Sequence, residues 1–216
     1  MVIAIDEKVT FSDEIKSIIK SGKYERIVFE LMKRSNIIFP NNYFYNEVQS
    51  CGECDFVDAI TGEKYDAKLP FTDKQGMLLG SNNSNYLKWY KSIQEELEEI
   101  SEYIKKKKDA KDLQLYKIME KILKKDKNDE NIIILFPFPV VLDVSIPSLI
   151  QFCGDGLTIV FKELKKNNII DKRKMYVIYP SFDGKMVLRC LNTDKREYIS
   201  SDCLKKYINY EMVFVE

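Results

Sequence analysis

Histidine is absent from this 216-residue chain, and its absence excludes several kinds of active site at once. Serine triads, papain-like Cys–His pairs, HExxH zinc sites and histidine proton relays all require an imidazole. Any chemistry must therefore use carboxylates, lysines, hydroxyls, thiols or a hard metal ion.

The chain also lacks net charge and any apolar run long enough to span a bilayer. Lys plus Arg and Asp plus Glu number 34 each, so a charge-based role must come from local clusters. The longest apolar run, 132–144, contains two prolines and is too short for a membrane span. No basic segment precedes an apolar one at the start, and five cysteines are an odd number that favours reduced thiols. These features predict a cytoplasmic protein with no membrane partner.

The hydrophobic pattern predicts one α/β domain over 1–216, with a mixed central β-sheet flanked by helices and a helical-hairpin insertion at 83–127. Apolar residues at helical spacing indicate helices over 12–33, divided at Gly22. Alternation around Thr61-Gly62 indicates two strands within 48–69. The later elements are expected as a strand at 132–142, a helix starting near 147 or 156 and ending at 166, strands at 174–179 and 185–191, a short helix at 201–208 and a strand at 211–215.

The predicted hairpin brings two carboxylates and an ammonium together. A two-residue turn at Thr61-Gly62 would pair Asp55 with Lys68 and set Asp55 diagonal to Asp66, with all three on one face. A three-residue loop would reverse the face of Asp58 relative to Asp66, which makes Asp58 a second candidate. The alternative without a function is a cross-strand ion pair on a solvated sheet face.

Paired carboxylates next to a lysine have a specific chemical use. They can hold Mg²⁺, which prefers oxygen ligands and keeps several waters. The metal lowers the pKa of a bound water and stabilises charge on a phosphoryl oxygen, while lysine can orient the attacking water. Such a site would hydrolyse a phosphodiester without histidine.

Asp55, followed after ten residues by Asp66-Ala67-Lys68, resembles the D…(D/E)xK signature of the PD-(D/E)XK nuclease superfamily, which has the restriction-endonuclease-like fold. The resemblance implies that Asp55 and Asp66 bind Mg²⁺ or Mn²⁺ and that Lys68 is the catalytic lysine. It also implies DNA as the substrate.

The segment Gly22–Leu31 looks like the glutamate helix that precedes the hairpin in many members of this superfamily. By that resemblance Glu25 is a further metal ligand, with Glu30 and Glu47 as rivals. The family core has the order α-β-β-β-α-β. That order would correspond to the first helices, the hairpin, the strand at 132, the helix ending at Lys166 and the strand at 174.

The expected activity is that of a Mg²⁺-dependent endonuclease or exonuclease in restriction, defence or repair, acting as a homodimer or with an associated protein. Lysine-rich stretches such as 105–108 and 172–174 could contact phosphates, although such clusters are more often solvated. A second hypothesis is a non-catalytic module of the same fold that docks a partner protein through 83–127. A third is a thiol- or zinc-dependent regulator that uses Cys51 and Cys54.

Overall fold

A mixed β-sheet of seven strands organises this α/β protein, and the sheet is strongly curled. The computed structural model describes residues 24–48, 53–69, 95, 98–99, 102–103, 109–125, 130–135, 156–170, 173–181 and 185–204. Within them the helices are α1 (Tyr24–Met32), α2 (Gln114–Lys125) and α3 (Leu157–Lys166), with 3₁₀ turns at Ala110–Asp112 and Ser201–Leu204. The strands are β1 (Tyr43–Tyr45), β2 (Phe56–Asp58), β3 (Lys64–Lys68), β4 (Asn131–Leu135), β5 (Met175–Pro180), β6 (Lys185–Cys190) and β7 (Arg196–Ser200).

The strands lie in the sheet in the same order as in the chain. Strands β1, β2 and β3 form an antiparallel meander, and β5, β6 and β7 form a second one. Strand β4 joins the two, parallel to both β3 and β5. Each parallel join needs a crossover, and α2 and α3 lie in the two crossover connections. The predicted mixed sheet flanked by helices is confirmed.

Strand β4 separates two hydrophobic cores. All five of its residues are buried, as expected for a central strand with parallel neighbours on both sides. Ile133 and Leu135 contribute to the core with α1, whereas Ile132 and Ile134 contribute to the core with α2 and α3. Helix α1 therefore covers one face of the sheet, and α2 and α3 cover the other.

The helices form where apolar residues recur at helical spacing. Helix α1 buries Ile27, Val28, Leu31 and Met32 on one stripe. Residues 95, 98–99 and 102–103 are helical as well, in agreement with the helices predicted within 83–127. The apolar stripe of α2 lies against the sheet, so this part of the 83–127 segment belongs to the second core.

Strands β1 and β7 were not predicted from the sequence. Strand β4 is described over Asn131–Leu135, and the remainder of the predicted strand, 136–142, lies outside the described residues. The helix predicted at 201–208 is described as a 3₁₀ turn over its first four residues. The helix over 12–22, the division at Gly22, residues 136–155 and the strand at 211–215 lie outside the described residues. No described helix is long and apolar enough to cross a membrane.

Candidate functional site at the β2–β3 hairpin

The hairpin turn is wider than the sequence suggested. Phe56 lies opposite Tyr65 and Val57 opposite Lys64, and the N–H of Asp58 donates to the carbonyl of Glu63 at 2.9 Å. The turn between Asp58 and Glu63 therefore has four residues, Ala59–Gly62. The predicted register, based on a two-residue turn, is wrong by two residues.

The side chain of Asp58 stabilises this wider turn. Its carboxylate accepts hydrogen bonds from the backbone N–H groups of Ile60 (2.8 Å) and Thr61 (3.2 Å) and from the side chain of Asn41 (2.7 Å). Its backbone carbonyl accepts the N–H of Gly62, which has a φ of +70°. Aspartate commonly closes turns in this way. Asp58, the alternative candidate ligand, thus has a structural role.

A shift of two residues leaves the faces of the strands unchanged, since side chains alternate with a period of two. Asp66 and Lys68 project from the face of β3 opposite to Tyr65 and Ala67, which belong to the core with α1. Asp55 directly precedes β2, and continuing the register by one residue sets it level with Asp66 rather than diagonal to it. The two carboxylates are therefore closer in register than predicted.

Asp55 is tied to β3 by a hydrogen bond. Its Oδ2 accepts the backbone N–H of Ala67 at 2.6 Å, and the residue is only 3% exposed. Strand β2 begins only at Phe56, so the Asp55 carboxylate takes the place of a main-chain acceptor beside the end of the ladder. This bond fixes Asp55 next to the residue between Asp66 and Lys68.

Asp66 and Lys68 form an ion pair along a single strand. The Asp66 residue is 7% exposed, whereas a third of the Lys68 side chain is exposed. Their strand lies between antiparallel β2 and parallel β4, with Asp66 level with Ile132 and Lys68 level with Ile134. The pair is neither cross-strand nor on a solvated face, so the simple surface ion pair considered above does not describe it.

Glu25 lies in the first turn of α1, on the other face of the sheet. Its Oε2 accepts a hydrogen bond from the Tyr45 hydroxyl at 3.1 Å. Burial raises the pKa of Glu25 and the charge of Asp66 adds to the increase, while the Tyr45 hydroxyl and the Lys68 ammonium oppose it. The hairpin charges therefore influence Glu25, although α1 packs on the other face of the sheet.

The two rival carboxylates have different neighbours. Glu30 lies 3.0 Å from the Lys33 ammonium, and Glu47 lies 4.0 Å from the Arg26 guanidinium. The charges of Asp66 and Lys68 both affect the pKa of Glu25.

Two tyrosines near the site were missed by the sequence analysis. Burial raises the pKa of Tyr24, and the negative charges of Glu25, Asp55 and Asp66 together with a hydrogen bond to Glu25 raise it further. Tyr45 donates a hydrogen bond to Glu25, which also has a hydrogen bond with Tyr24. Tyr24 adjoins Glu25 in the sequence and could have been noticed, whereas Tyr45 reaches Glu25 only through β1, a strand that was not predicted.

The residues fit a hard divalent cation in kind. Carboxylate oxygens are the ligands that Mg²⁺ and Mn²⁺ prefer, and Mg²⁺ is commonly held by one or two carboxylates with water and substrate phosphate. Within the described part of the chain, no three Cys, Asp or Glu side chains are grouped closely enough to hold a metal ion. A cation here would be held by Asp55 and Asp66, with Glu25 acting through water.

The other candidate thiols and cations are buried, paired within the protein or outside the described residues. Cys54 is a buried thiol, and its proposed zinc partner Cys51 lies outside the described residues, as does the lysine run at 105–108. Lys174 is bound by the Glu63 carboxylate at 2.7 and 2.8 Å, and Arg173 donates to the carbonyl of Leu123 at 3.2 Å. These two cations of the 172–174 cluster therefore have partners within the protein.

Comparison of the chain with protein-family models, with curated proteins and with solved structures found no match. The function must therefore be inferred from the hairpin residues and their surroundings.

Proposed function

We propose that the protein is a metal-dependent nuclease of the PD-(D/E)XK type that hydrolyses phosphodiester bonds in DNA. The observation that carries the proposal is the pair of buried carboxylates, Asp55 and Asp66, next to the partly exposed ammonium of Lys68. Removing carboxylates from water is costly unless they are bound by hydrogen bonds, by a cation or by both. A site that buries two of them beside an accessible lysine is suited to a cation and an anionic substrate.

Each residue has a role that follows from its position. Asp55 and Asp66 would hold the cation, and the N–H of Ala67 keeps Asp55 oriented. Lys68, which is exposed enough to meet solvent and substrate, would orient the attacking water. A bound Mg²⁺ or Mn²⁺ would supply Lewis-acid stabilisation of the phosphoryl oxygens and a lower pKa for the attacking water.

The order of elements supports the restriction-endonuclease-like assignment in a form different from the one predicted. Helix α1, strands β1, β2 and β3, helix α2 and strand β4 follow one another as α-β-β-β-α-β. In this assignment β1, missed from the sequence, is the first core strand, and α2, which lies in the 83–127 segment, is the crossover helix. The candidate carboxylates then lie at the second and third strands.

The alternative of a docking module receives less support. It requires an apolar surface on 83–127, but Leu115, Tyr116, Met119 and Leu123 of α2 are buried in the core against β4 and α3. The first half of the segment lies largely outside the described residues.

The test is cleavage of linear, circular and single-stranded DNA in Mg²⁺, Mn²⁺ or EDTA, with two matched lysine variants. Lys68→Ala should lower kcat by about 10²- to 10⁴-fold, the usual contribution of a positioned proton-transfer group. Lys64→Ala is the control, because Lys64 lies on the same strand and face but is exposed at the turn end. Failure of the wild-type protein to cut any substrate with either metal would refute the proposal, as would equal activity of the two variants.

A further inference from the structure

Strand β7, at one edge of the described sheet, exposes an aromatic ring on one of its two sides. Tyr198 lies opposite Val187 of β6 and is 57% exposed. Val187 belongs to the core with α2 and α3, so Tyr198 projects from that side of the sheet. Glu197 and Ile199 project from the other side of β7, where Glu197 binds the segment after α1 and Ile199 joins the core with α1. The exposed ring is thus on the side opposite to these contacts.

Cations lie on both sides of this ring along the strand direction. Arg196 precedes Tyr198 by two residues and lies opposite Arg189 of β6. Ser200 follows Tyr198 by two residues and lies opposite Lys185, which is exposed. Because side chains alternate with a period of two, Arg196, Tyr198 and Lys185 share one side of the sheet. A guanidinium group and an ammonium group therefore flank the phenol ring.

The turn between β6 and β7 places the Arg196 guanidinium group. Nε and Nη2 of Arg189 each lie 2.6 Å from Asp194 Oδ1, and Nη2 of Arg196 lies 3.4 Å from the same oxygen. The Arg189 side chain is buried, whereas those of Asp194 and Arg196 are exposed. One carboxylate thus serves two guanidinium groups, so these three side chains carry more positive than negative charge. Arg196 presents the more exposed of the two cations.

A flat ring between two cations fits a ligand in which flat groups alternate with negative charges. Side chains two residues apart on a strand are about 6.8 Å apart, which is close to the spacing of successive phosphates in an extended nucleic-acid strand. Proteins bind single strands by stacking bases on aromatic rings and by placing cations along the phosphates. Bases inside a duplex are stacked on one another and do not offer a free face. An acidic peptide would satisfy the cations but would leave the ring without a stacking partner.

We infer that the side of β6 and β7 that carries Lys185, Arg196 and Tyr198 binds single-stranded nucleic acid, with a base stacked on Tyr198 and phosphates near the two cations. The name β6–β7 surface is used below for these three residues. The inference goes beyond the proposed function, because β4 and β5 lie between this surface and the β2–β3 hairpin and binding requires no metal ion.

Four variants test the β6–β7 surface. Tyr198→Ala removes the ring, Tyr198→Phe retains it, and Arg196→Ala removes one cation. Phe44→Ala is the matched control, since Phe44 is 67% exposed on β1 at the opposite edge of the described sheet. The residues two positions before and after Phe44 are Asn42 and Asn46, which carry no charge.

The experiment is a fluorescence anisotropy titration of labelled oligodeoxythymidine in EDTA at several salt concentrations, with circular dichroism to verify folding. Tyr198→Ala should weaken binding by about 5- to 150-fold, the range for loss of one base–aromatic stack, and Tyr198→Phe should bind as the wild type does. Arg196→Ala should reduce the slope of log affinity against log salt by about 0.7, the value for one phosphate contact on a single strand. Phe44→Ala should retain wild-type affinity.

Three results would overturn the inference. They are absence of binding by the wild type, wild-type affinity in Tyr198→Ala, and equal losses in Tyr198→Ala and Phe44→Ala. Unlabelled duplex DNA should compete poorly with the single strand, and equal competition would exclude stacking on Tyr198 as the mode of binding.

DNA cleavage in Mg²⁺ or Mn²⁺ by the same proteins separates this inference from the proposed function. Wild-type protein that binds the oligonucleotide with the expected variant pattern but cuts no DNA would refute nuclease activity and leave the β6–β7 surface intact. Wild-type protein that cuts DNA while Tyr198→Ala keeps full affinity for the oligonucleotide would refute the role of the β6–β7 surface alone.

Discussion

The Asp55 carboxylate accepts the backbone N–H of Ala67 at 2.6 Å, so a candidate metal ligand also completes the edge of a β-ladder. A structural role and a proposed chemical role coincide in this one side chain. Substitutions at Asp55 can separate the two roles, because asparagine keeps an oxygen acceptor and loses the charge, whereas alanine loses both.

Asp55→Asn should remain folded with a modest loss of stability and should lose metal-dependent cleavage. Asp55→Ala should in addition lower the free energy of unfolding by about 1–3 kcal/mol, since it leaves the buried N–H of Ala67 without its acceptor. Urea denaturation, monitored by circular dichroism, measures the free energy of unfolding, and a DNA cleavage assay measures the loss of activity. Full cleavage by Asp55→Asn would show that the charge serves only the fold.

Substitution of Asp58 should lower stability without lowering catalytic activity. It is 2% exposed and accepts hydrogen bonds from Asn41, Ile60 and Thr61. Asp58→Ala should lower the free energy of unfolding by about 1–3 kcal/mol, while the folded fraction keeps its kcat. The measurement is urea denaturation together with cleavage at a temperature at which the variant is folded. A kcat as low as that of Asp66→Asn would return Asp58 to the list of candidate ligands.

Substitutions at Gly62 test the backbone conformation of the four-residue turn. Its φ of +70° is unfavourable for residues with a Cβ, although a Cβ built there would meet no atom within 4 Å. Gly62→Ala should therefore cost about 1–2 kcal/mol through backbone strain alone. Gly62→Asn should cost less, because asparagine tolerates the left-handed region better. Thermal denaturation of the two variants gives the comparison, and a larger loss for asparagine would indicate a steric cause instead.

Much of the fold was predictable because its pattern is local. Ile27, Val28, Leu31 and Met32 repeat at helical spacing in α1, and the apolar run of β4 is typical of a buried central strand. Strands β1 and β7 carry no such pattern. The first has three residues, and the second, Arg196–Ser200, is polar at most positions and buries only Ile199 clearly. Their pairing partners decide their conformation.

The candidate site was predictable in part for a related reason. Alternation along a strand determines that Asp66 and Lys68 share a face, whatever the length of the turn. Asp58, which closes the wider turn, is also bound by Asn41, 17 residues away in the chain, and the bond of Glu25 to Tyr45 depends on β1. Such contacts arise only when the chain is folded, so no local pattern indicated them.

Glu197 joins β7 to the segment after α1. Its carboxylate accepts hydrogen bonds from the Ser35 hydroxyl (2.5 Å) and from the backbone N–H groups of Asn36 (2.8 Å), Ile37 (3.0 Å) and Ile38 (3.1 Å). Partial burial acts to raise the pKa of Glu197, but these hydrogen bonds together hold it below its ordinary value. The ionised form therefore stabilises the folded state.

Because the pKa of Glu197 is lower in the folded than in the unfolded chain, its contribution should be complete at neutral pH. It should begin to fall near the unfolded pKa of about 4.3 and be lost as the pH drops through the folded value. Glu197→Gln should cost about 1.5–3 kcal/mol at neutral pH, the usual range for hydrogen bonds to a charged group, and progressively less in acid. Urea denaturation of both proteins across this pH range gives the difference directly. A difference that does not change with pH would mean that shape, rather than charge, accounts for the role of Glu197 in joining β7 to the segment after α1.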